Sequence, residues 1–261
     1  MSELQINSWE NYINENGIEP IVTLERTCWA SWLAASPQSL AGRANVFPEG
    51  QLCVYSKLGL LATLSANKIA WNGLIDMLPT WDDVAGDPTT YEHTYESNGN
   101  TLCLMSMNVS PLGRGKQLPK VLIGSLIKYA KKSDIQHVIG SFRPSAFSQA
   151  VLQATEQGVQ IPTFEVYCGL KNESGDCIDP WLRSLSKNGM QPLAVDHKAM
   201  QVPISKDEFE HLLQPSWRQL TIKGKDIWWC NETGFFYPQE DGSFLYCESN
   251  LWGTLYEKQS L

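Results

Sequence analysis

One segment constrains this chain more than any other. Thr101 to Val109 reads TLCLMSMNV, an apolar run of strand length, and SPLGRGKQ and LPKVLIGSLIKYAKK follow it. The last stretch has helical periodicity, with Val121, Leu122, Leu126 and Tyr129 on one face and Lys128, Lys131 and Lys132 on the other. The expected order is therefore buried strand, glycine-bearing turn, amphipathic helix. Such a unit directs the first N–H groups of the helix outward without intrahelical partners, and their partial positive charge favours an anion. Arg114, Lys116 and Lys120 add full charges beside them. A strand and a helix joined in this way need a sheet to lie on, so the chain reads as α/β.

The flanking sequence supplies further elements. Ile21–Ser36 (IVTLERTCWASWLAAS) has helical spacing, with Cys28, Trp29, Trp32 and Leu33 expected on one face. FPEGQLCVYSKLGLLATLSANKI predicts two strands about a turn at 56–59, with Leu52, Val54, Leu60 and Ala62 facing a core. Trp71–Asn98 is polar, aromatic and turn-rich, and is expected to be a long surface segment, often a functional one. QHVIGSF and TFEVYCGL read as strands, PSAFSQAVLQATEQG and DPWLRSLSKNGM as helices, and QPLAVDHKAMQVPIS as a last core strand. Gly189 suits a left-handed helix end and Asp179 an N-cap. From Trp217 the composition turns aromatic, with turn signals at 232–234 and 240–242. Short hairpins packed on the core are expected there, with 1–215 as the main domain and 216–261 as a β-rich extension.

Composition limits the partners. The 261 residues carry a net charge of −8, which opposes the counterion displacement that nonspecific nucleic-acid binding needs. No apolar stretch approaches the roughly 20 residues of a membrane span. The first 21 residues lack the basic and apolar regions of a signal peptide. Seven scattered cysteines without a C-x-x-C pair read as reduced thiols of a cytoplasmic protein, and no metal-ligand spacing is present.

Val109-x-Pro111-x-x-Arg114-Gly115-Lys116, after a buried strand and before an amphipathic helix, resembles motif A of the GNAT acyltransferase superfamily. HVIGSF falls where that family places its next strand, and DPWLRSLSKNGM resembles its final helix. FPEGQLCV, PTWDDVAGD, the histidine before the central strand and DPWL resemble the longer GNAT domains of bacterial standalone and natural-product assembly-line proteins. The resemblance implies a mixed, mostly antiparallel sheet flanked by helices. It also implies a thioester held between two splayed central strands. The donor the resemblance implies is acyl-CoA or the phosphopantetheine of an acyl carrier protein. Met107, Asn108 and Val109 would pair with its pantetheine arm, and Arg114, Gly115, Lys116, Gln117 and Leu118 would cradle phosphate.

The sequence departs from the family at several points. The small residues usual in the turn are replaced by Gln117 and Pro119, which add bulk and remove one N–H donor. The remaining donors expected are the N–H groups of residues 113–118. The position matching the family's tyrosine acid is Leu185, and the central strand carries no carboxylate. His93 is the first choice of general base, because imidazole titrates near working pH, with Glu92 and Glu96 next. Ser106 and Ser141 either donate to the thioester carbonyl or fill core space, and the Val109 N–H is the expected oxyanion donor. Cys103 and Cys168 allow, but do not favour, a covalent acyl-cysteine. His137 reads as structural, and His197 and His211 as peripheral.

The expected activity is acyl transfer to an amine on a small molecule or peptide, with an acyl chain that could exceed acetyl. Two alternatives stay open. One is a GNAT-like assembly-line enzyme that decarboxylates a thioester or passes acyl groups between thiols. The other is a noncatalytic acyl-thioester binding protein.

Overall fold

The computed structural model describes residues 4–86, 93–222 and 224–258. The chain forms two compact units, Met1–Gly140 with Thr254–Leu261, and Ser141–Gly253.

In the first unit, strands β1 (Gln5–Ser8), β2 (Gln51–Ser56), β3 (Gly59–Ile69), β4 (Thr101–Val109) and the start of β5 (His137–Phe142), which ends in the second unit, lie side by side in that order. The pairs from β1 to β4 are antiparallel. β4 and β5 are parallel, Thr101 facing His137 through Leu104 facing Gly140, and helix α5 (Leu118–Lys132) supplies the crossover that parallel strands require. The expected hairpin over β2 and β3 is present. Its strands are largely buried, Val54, Leu61, Ala62 and Leu64 completely. Strands inside a sheet lose the clean alternation of a half-exposed pair.

Helices α1 (Trp9–Asn16), α2 (Glu19–Cys28) and α3 (Pro37–Val46) bury Trp9, Tyr12, Ile21, Val22, Leu40 and Ala44 in one cluster with Cys53 of β2. The Trp9 indole donates to the Leu52 carbonyl at 2.8 Å, so a fully buried N–H is satisfied. The single helix expected over 21–36 is two pieces. α2 ends at Cys28, Trp29 is extended (φ −125°), and a separate turn follows in which Ala34 N–H bonds Ala30 O. The extended Trp29 sends its indole across to β4, and that contact outweighs local helix preference.

The segment after β3 has regular structure within residues 71–86 despite its polarity. It holds a 3₁₀ turn at Ile75–Met77 and a short helix, α4 (Trp81–Ala85). Thr80 and Asp83 form a reciprocal capping box there, Thr80 Oγ1 accepting from Asp83 N–H and Asp83 from Thr80 N–H.

The second unit contains α6 (Phe147–Glu156), α7 (Phe164–Gly169), α8 (Pro180–Lys187), β6 (Gln191–Ile204), α9 (Lys206–Leu212), β7 (Arg218–Ile222), β8 (Lys225–Trp229) and β9 (Phe235–Pro238). β10 (Phe244–Glu257) starts here and ends in the first unit. β7 to β10 form an antiparallel series, and β6 pairs with β10. The aromatic tail is core rather than groove. Trp217, Trp229, Phe236, Tyr246 and Trp252 are buried, and Phe209 of α9 stacks on Phe244. β6 is half-exposed, not the last core strand expected.

TFEVYCGL, expected as a strand, is helix α7. Thr163 caps it by accepting Val166 N–H, and Phe164 and Tyr167, three residues apart, bury one face against Phe147. Asp179 caps α8 through bonds from the Trp181 and Leu182 N–H groups at 2.9 and 3.0 Å. Among the described residues no helix is long and apolar enough to cross a membrane.

Candidate functional site

Pairing of β4 with β3 changes step at Met105. Leu104 faces Ala66 and Ser106 faces Ser65, so Met105 is one residue too many on its strand, a β-bulge. A bulge bends its strand and re-aims the residues beyond it. The Met105 carbonyl accepts the Trp81 indole N–H at 3.0 Å, which ties α4 to the bulge. The β5 ladder stops one residue earlier, at Leu104.

Beyond the bulge the ladder fixes which main-chain groups point where. Ser110 N–H bonds Leu61 O at 2.8 Å, and antiparallel pairs alternate between bonded and non-bonded kinds. Val109, facing Ala62, is therefore of the non-bonded kind, and its N–H and C=O turn to the edge away from β3. Met107 shares that orientation, whereas Asn108 directs its main chain to β3. The Cys28 thiol meets this edge, 3.9 Å from Val109 O. Burial raises the Cys28 thiol above its ordinary value. The bond to Val109 lowers it, the Glu25 charge adds to the rise, and Arg114 opposes it. Cys28 is thus a hydrogen-bond donor to the strand rather than a nucleophilic thiolate.

The Asn108 side chain has a fixed setting below the edge. Its Nδ2 donates to Glu25 Oε2 at 2.6 Å, and its Oδ1 accepts the Trp29 indole N–H at 2.6 Å. Glu25 Oε1 accepts Ala35 N–H at 3.0 Å. Glu25 and Asn108 are 3% and 1% exposed, so this chain of bonds is a buried link between α2, the turn after it and β4. Nothing in the sequence advertised it.

The turn after β4 partly closes on itself. Ser110 Oγ accepts Gly113 N–H at 3.2 Å, Arg114 N–H reaches Pro111 O at 3.4 Å, and Lys116 N–H reaches Gly113 O at 3.3 Å. Three of the donors expected over 113–118 are therefore engaged within the turn. Helix geometry leaves the Leu118 and Lys120 N–H groups without intrahelical acceptors, and Pro119 has no N–H. Gly115 has φ 75°, and Gln117, the N-cap of α5, sits in the left-handed region at φ 56°, ψ 27°. Arg114, Gly115, Lys116 and Gln117 are exposed, while the Leu118 side chain is fully buried. Gly113 is fixed by space, since a Cβ there would stand 2.7 Å from Leu61 O.

The sequence-derived base does not join this edge. His93 is exposed on a turn whose next residue, Thr94, accepts from Asn67 Nδ2 through both its carbonyl and its hydroxyl. Asn67 faces Cys103, six residues before Val109, on the order of 20 Å along the strand. Glu92 lies outside the described residues. Glu96 follows the same track, its N–H on Lys68 O. Ser141 is buried in the second unit. With the Asn250 amide turned to donate to Glu248 Oε1, its oxygen accepts Ser141 Oγ–H at 3.1 Å. Ser106 is buried on the Asn108 face of β4. Burial raises the Cys103 and Cys168 thiols, Cys168 to about 12, and Cys168 lies in helix α7 rather than a strand. His137 packs edge-on against Trp71, 5.0 Å between rings.

A mixed sheet with a parallel pair at β4 and β5, a bulged strand and a basic strand–turn–helix is the fold of the GNAT superfamily. Two solved structures share it. One is the loading GNATL domain of CurA from Lyngbya majuscula, with 18% identity, TM-score 0.58, covering 74% of this chain and 87% of that domain. The other is the GphF GNAT-like decarboxylase in complex with isobutyryl-CoA, with 16% identity, TM-score 0.57, covering 97% and 100%. In sequence, the chain is 24% identical over 223 residues to the uncharacterized N-acetyltransferase YkwB of Bacillus subtilis, across 82% of this chain and 89% of that protein. No family model matches the sequence.

Proposed function

We propose that this chain is an acyltransferase that moves an acyl group from a thioester to an amine on a small molecule or peptide. One observation carries the reading: an outward-turned main-chain edge at Met107 and Val109 runs directly into a basic turn and a helix N-terminus. A pantetheine arm can add to that edge as a strand does, and a phosphate suits the positive turn. Arg114, Lys116 and the N–H groups of Leu118 and Lys120 would hold the phosphate. The Val109 N–H would polarise the acyl carbonyl.

In the reaction the amine nitrogen bonds the acyl carbon, the carbon–sulfur bond breaks, and the amine proton ends on the departing sulfur. Leu185 offers no proton, and His93 sits far along β4, so water carries that proton. Positioning of the two reactants supplies most of the rate.

The self-bonded turn favours a donor presented on a carrier protein over free acyl-CoA, because fewer N–H groups remain for a pyrophosphate. The relatives of similar fold include a loading domain and a GNAT-like decarboxylase, which supports decarboxylation or thiol transfer as the second reading. Single-turnover mass spectrometry with acyl-CoA and acyl-carrier donors separates the possibilities. An acylated amine is expected. Loss of carbon dioxide would establish the second reading, and tight binding without turnover would sink both.

A further inference from the structure

A lysine and a cysteine meet in the second unit. Residues 172–176 (NESGD) make a tight turn in which Asn172 N–H bonds Asp176 O and Ile178 N–H bonds Leu170 O. These two bonds flank Lys171 and Cys177, which form an antiparallel bridge. The pair is therefore of the non-hydrogen-bonded kind, where the Cα atoms stand about 4.5 Å apart and the side chains are closest. Lys171 Nζ is 2.9 Å from Cys177 Sγ, and Ser186 Oγ is 3.6 Å from the same sulfur. Asp176, which could otherwise draw the lysine away, is held by Lys187 Nζ at 2.6 Å. Burial acts to raise the Cys177 thiol, but the bonds from Lys171 and Ser186 and the lysine charge outweigh it and hold it below its ordinary value. The Lys171 side chain is exposed and Cys177 is 7% exposed, so the pair lies just beneath the surface.

We propose that Lys171 and Cys177 form an oxidative modification site, which hydrogen peroxide closes into a covalent sulfur–nitrogen cross-link. The Cys177 thiolate attacks one peroxide oxygen. The oxygen–oxygen bond breaks, and the departing hydroxide takes a proton from the Lys171 ammonium and leaves as water. This gives a sulfenic acid beside a neutral amine. The amine nitrogen then attacks sulfur, the sulfur–oxygen bond breaks, and a second water leaves with one amine proton. Sulfur is oxidised by two electrons and peroxide is reduced to water. A sulfenic acid condenses in this way with a backbone nitrogen, and the neutral Lys171 amine, 2.9 Å from the sulfur, is the better nucleophile. A thiol reductant reopens the bond, forming a mixed disulfide and releasing the amine.

The test is peptide mass spectrometry of the full chain after brief peroxide treatment, without reductant and with it. The expected product joins Lys171 to Cys177 with the loss of two hydrogens and disappears with dithiothreitol. Lys171→Arg keeps the charge but should abolish the cross-link and leave Cys177 as a sulfenic acid that dimedone traps. Cys177→Ser should abolish both products. A Cys177 disulfide with Cys168, a cross-link that retains the oxygen, or Cys177 alkylated equally fast before and after peroxide would each overturn the proposal.

Discussion

Glu25→Gln removes almost no volume and should still destabilise the first unit. Three donors converge on three acceptor oxygens in the buried chain. Ala35 N–H and Asn108 Nδ2 go to Glu25, and Trp29 Nε1 goes to Asn108 Oδ1. Glutamine keeps one oxygen and turns the other into a donor. If its oxygen faces Asn108, its NH₂ faces the Ala35 N–H. If it is reversed, its NH₂ faces the Asn108 NH₂. Rotating the Asn108 amide relieves that contact but turns its NH₂ toward the Trp29 indole. Every arrangement leaves a donor facing a donor in a buried setting, which costs about 1–3 kcal/mol. Relief from burying a carboxylate offsets part of this. The expected net loss is about 1–2 kcal/mol, or roughly 2–8 °C in melting temperature for a chain of this size. Thermal melts followed by tryptophan fluorescence measure it. In the cycle with Asn108→Leu, the two changes should couple by at least about 1 kcal/mol. A Glu25→Gln protein within about 0.5 kcal/mol of the parent, or simple additivity in the cycle, would refute the reasoning.

Two other outcomes concern the turn and a half-buried histidine. Gln117→Gly should raise stability by up to about 1 kcal/mol in urea melts, because holding the left-handed region costs a side chain more than glycine adds in chain entropy. The same variant should show a larger thermal shift with CoA, and a loss of stability would contradict the backbone argument. Burial depresses His137 below 6.5, against a smaller opposing pull from Glu257. The folded state therefore binds fewer protons than the unfolded one below that value, and stability present above it is lost as pH falls. Melting temperatures taken from about pH 8 to about pH 5 should fall less steeply for His137→Gln than for the parent.

The features legible in the sequence are local ones. The α5 boundaries come from an apolar stripe with Pro119 in the first turn, and β4 comes from its unbroken apolar run. α7 reads as a strand because its valine, phenylalanine and tyrosine fit one, while the Thr163 cap and the spacing of Phe164 and Tyr167 fit a helix. The buried chain below β4 is invisible for a different reason. Asn108 lies 83 residues from Glu25 and 79 from Trp29, and only the packing of α2 on the sheet brings them together. His93 is attractive by chemistry and by its place just before β4. Asn67 anchors the neighbouring Thr94 near the start of that strand, so closeness in sequence to β4 does not mean closeness to its far end.

The self-bonded turn has a kinetic meaning. A loop held by Ser110, Pro111 and Gly113 keeps its shape before any ligand arrives, so association need not order its backbone. The ordering cost is confined to the exposed side chains of Arg114, Lys116 and Gln117, about 0.5–1.5 kcal/mol each. Under the proposed function, the charges of Arg114 and Lys116 would govern how fast a donor is captured, and how strongly salt slows it. The preformed turn would govern how long the donor stays.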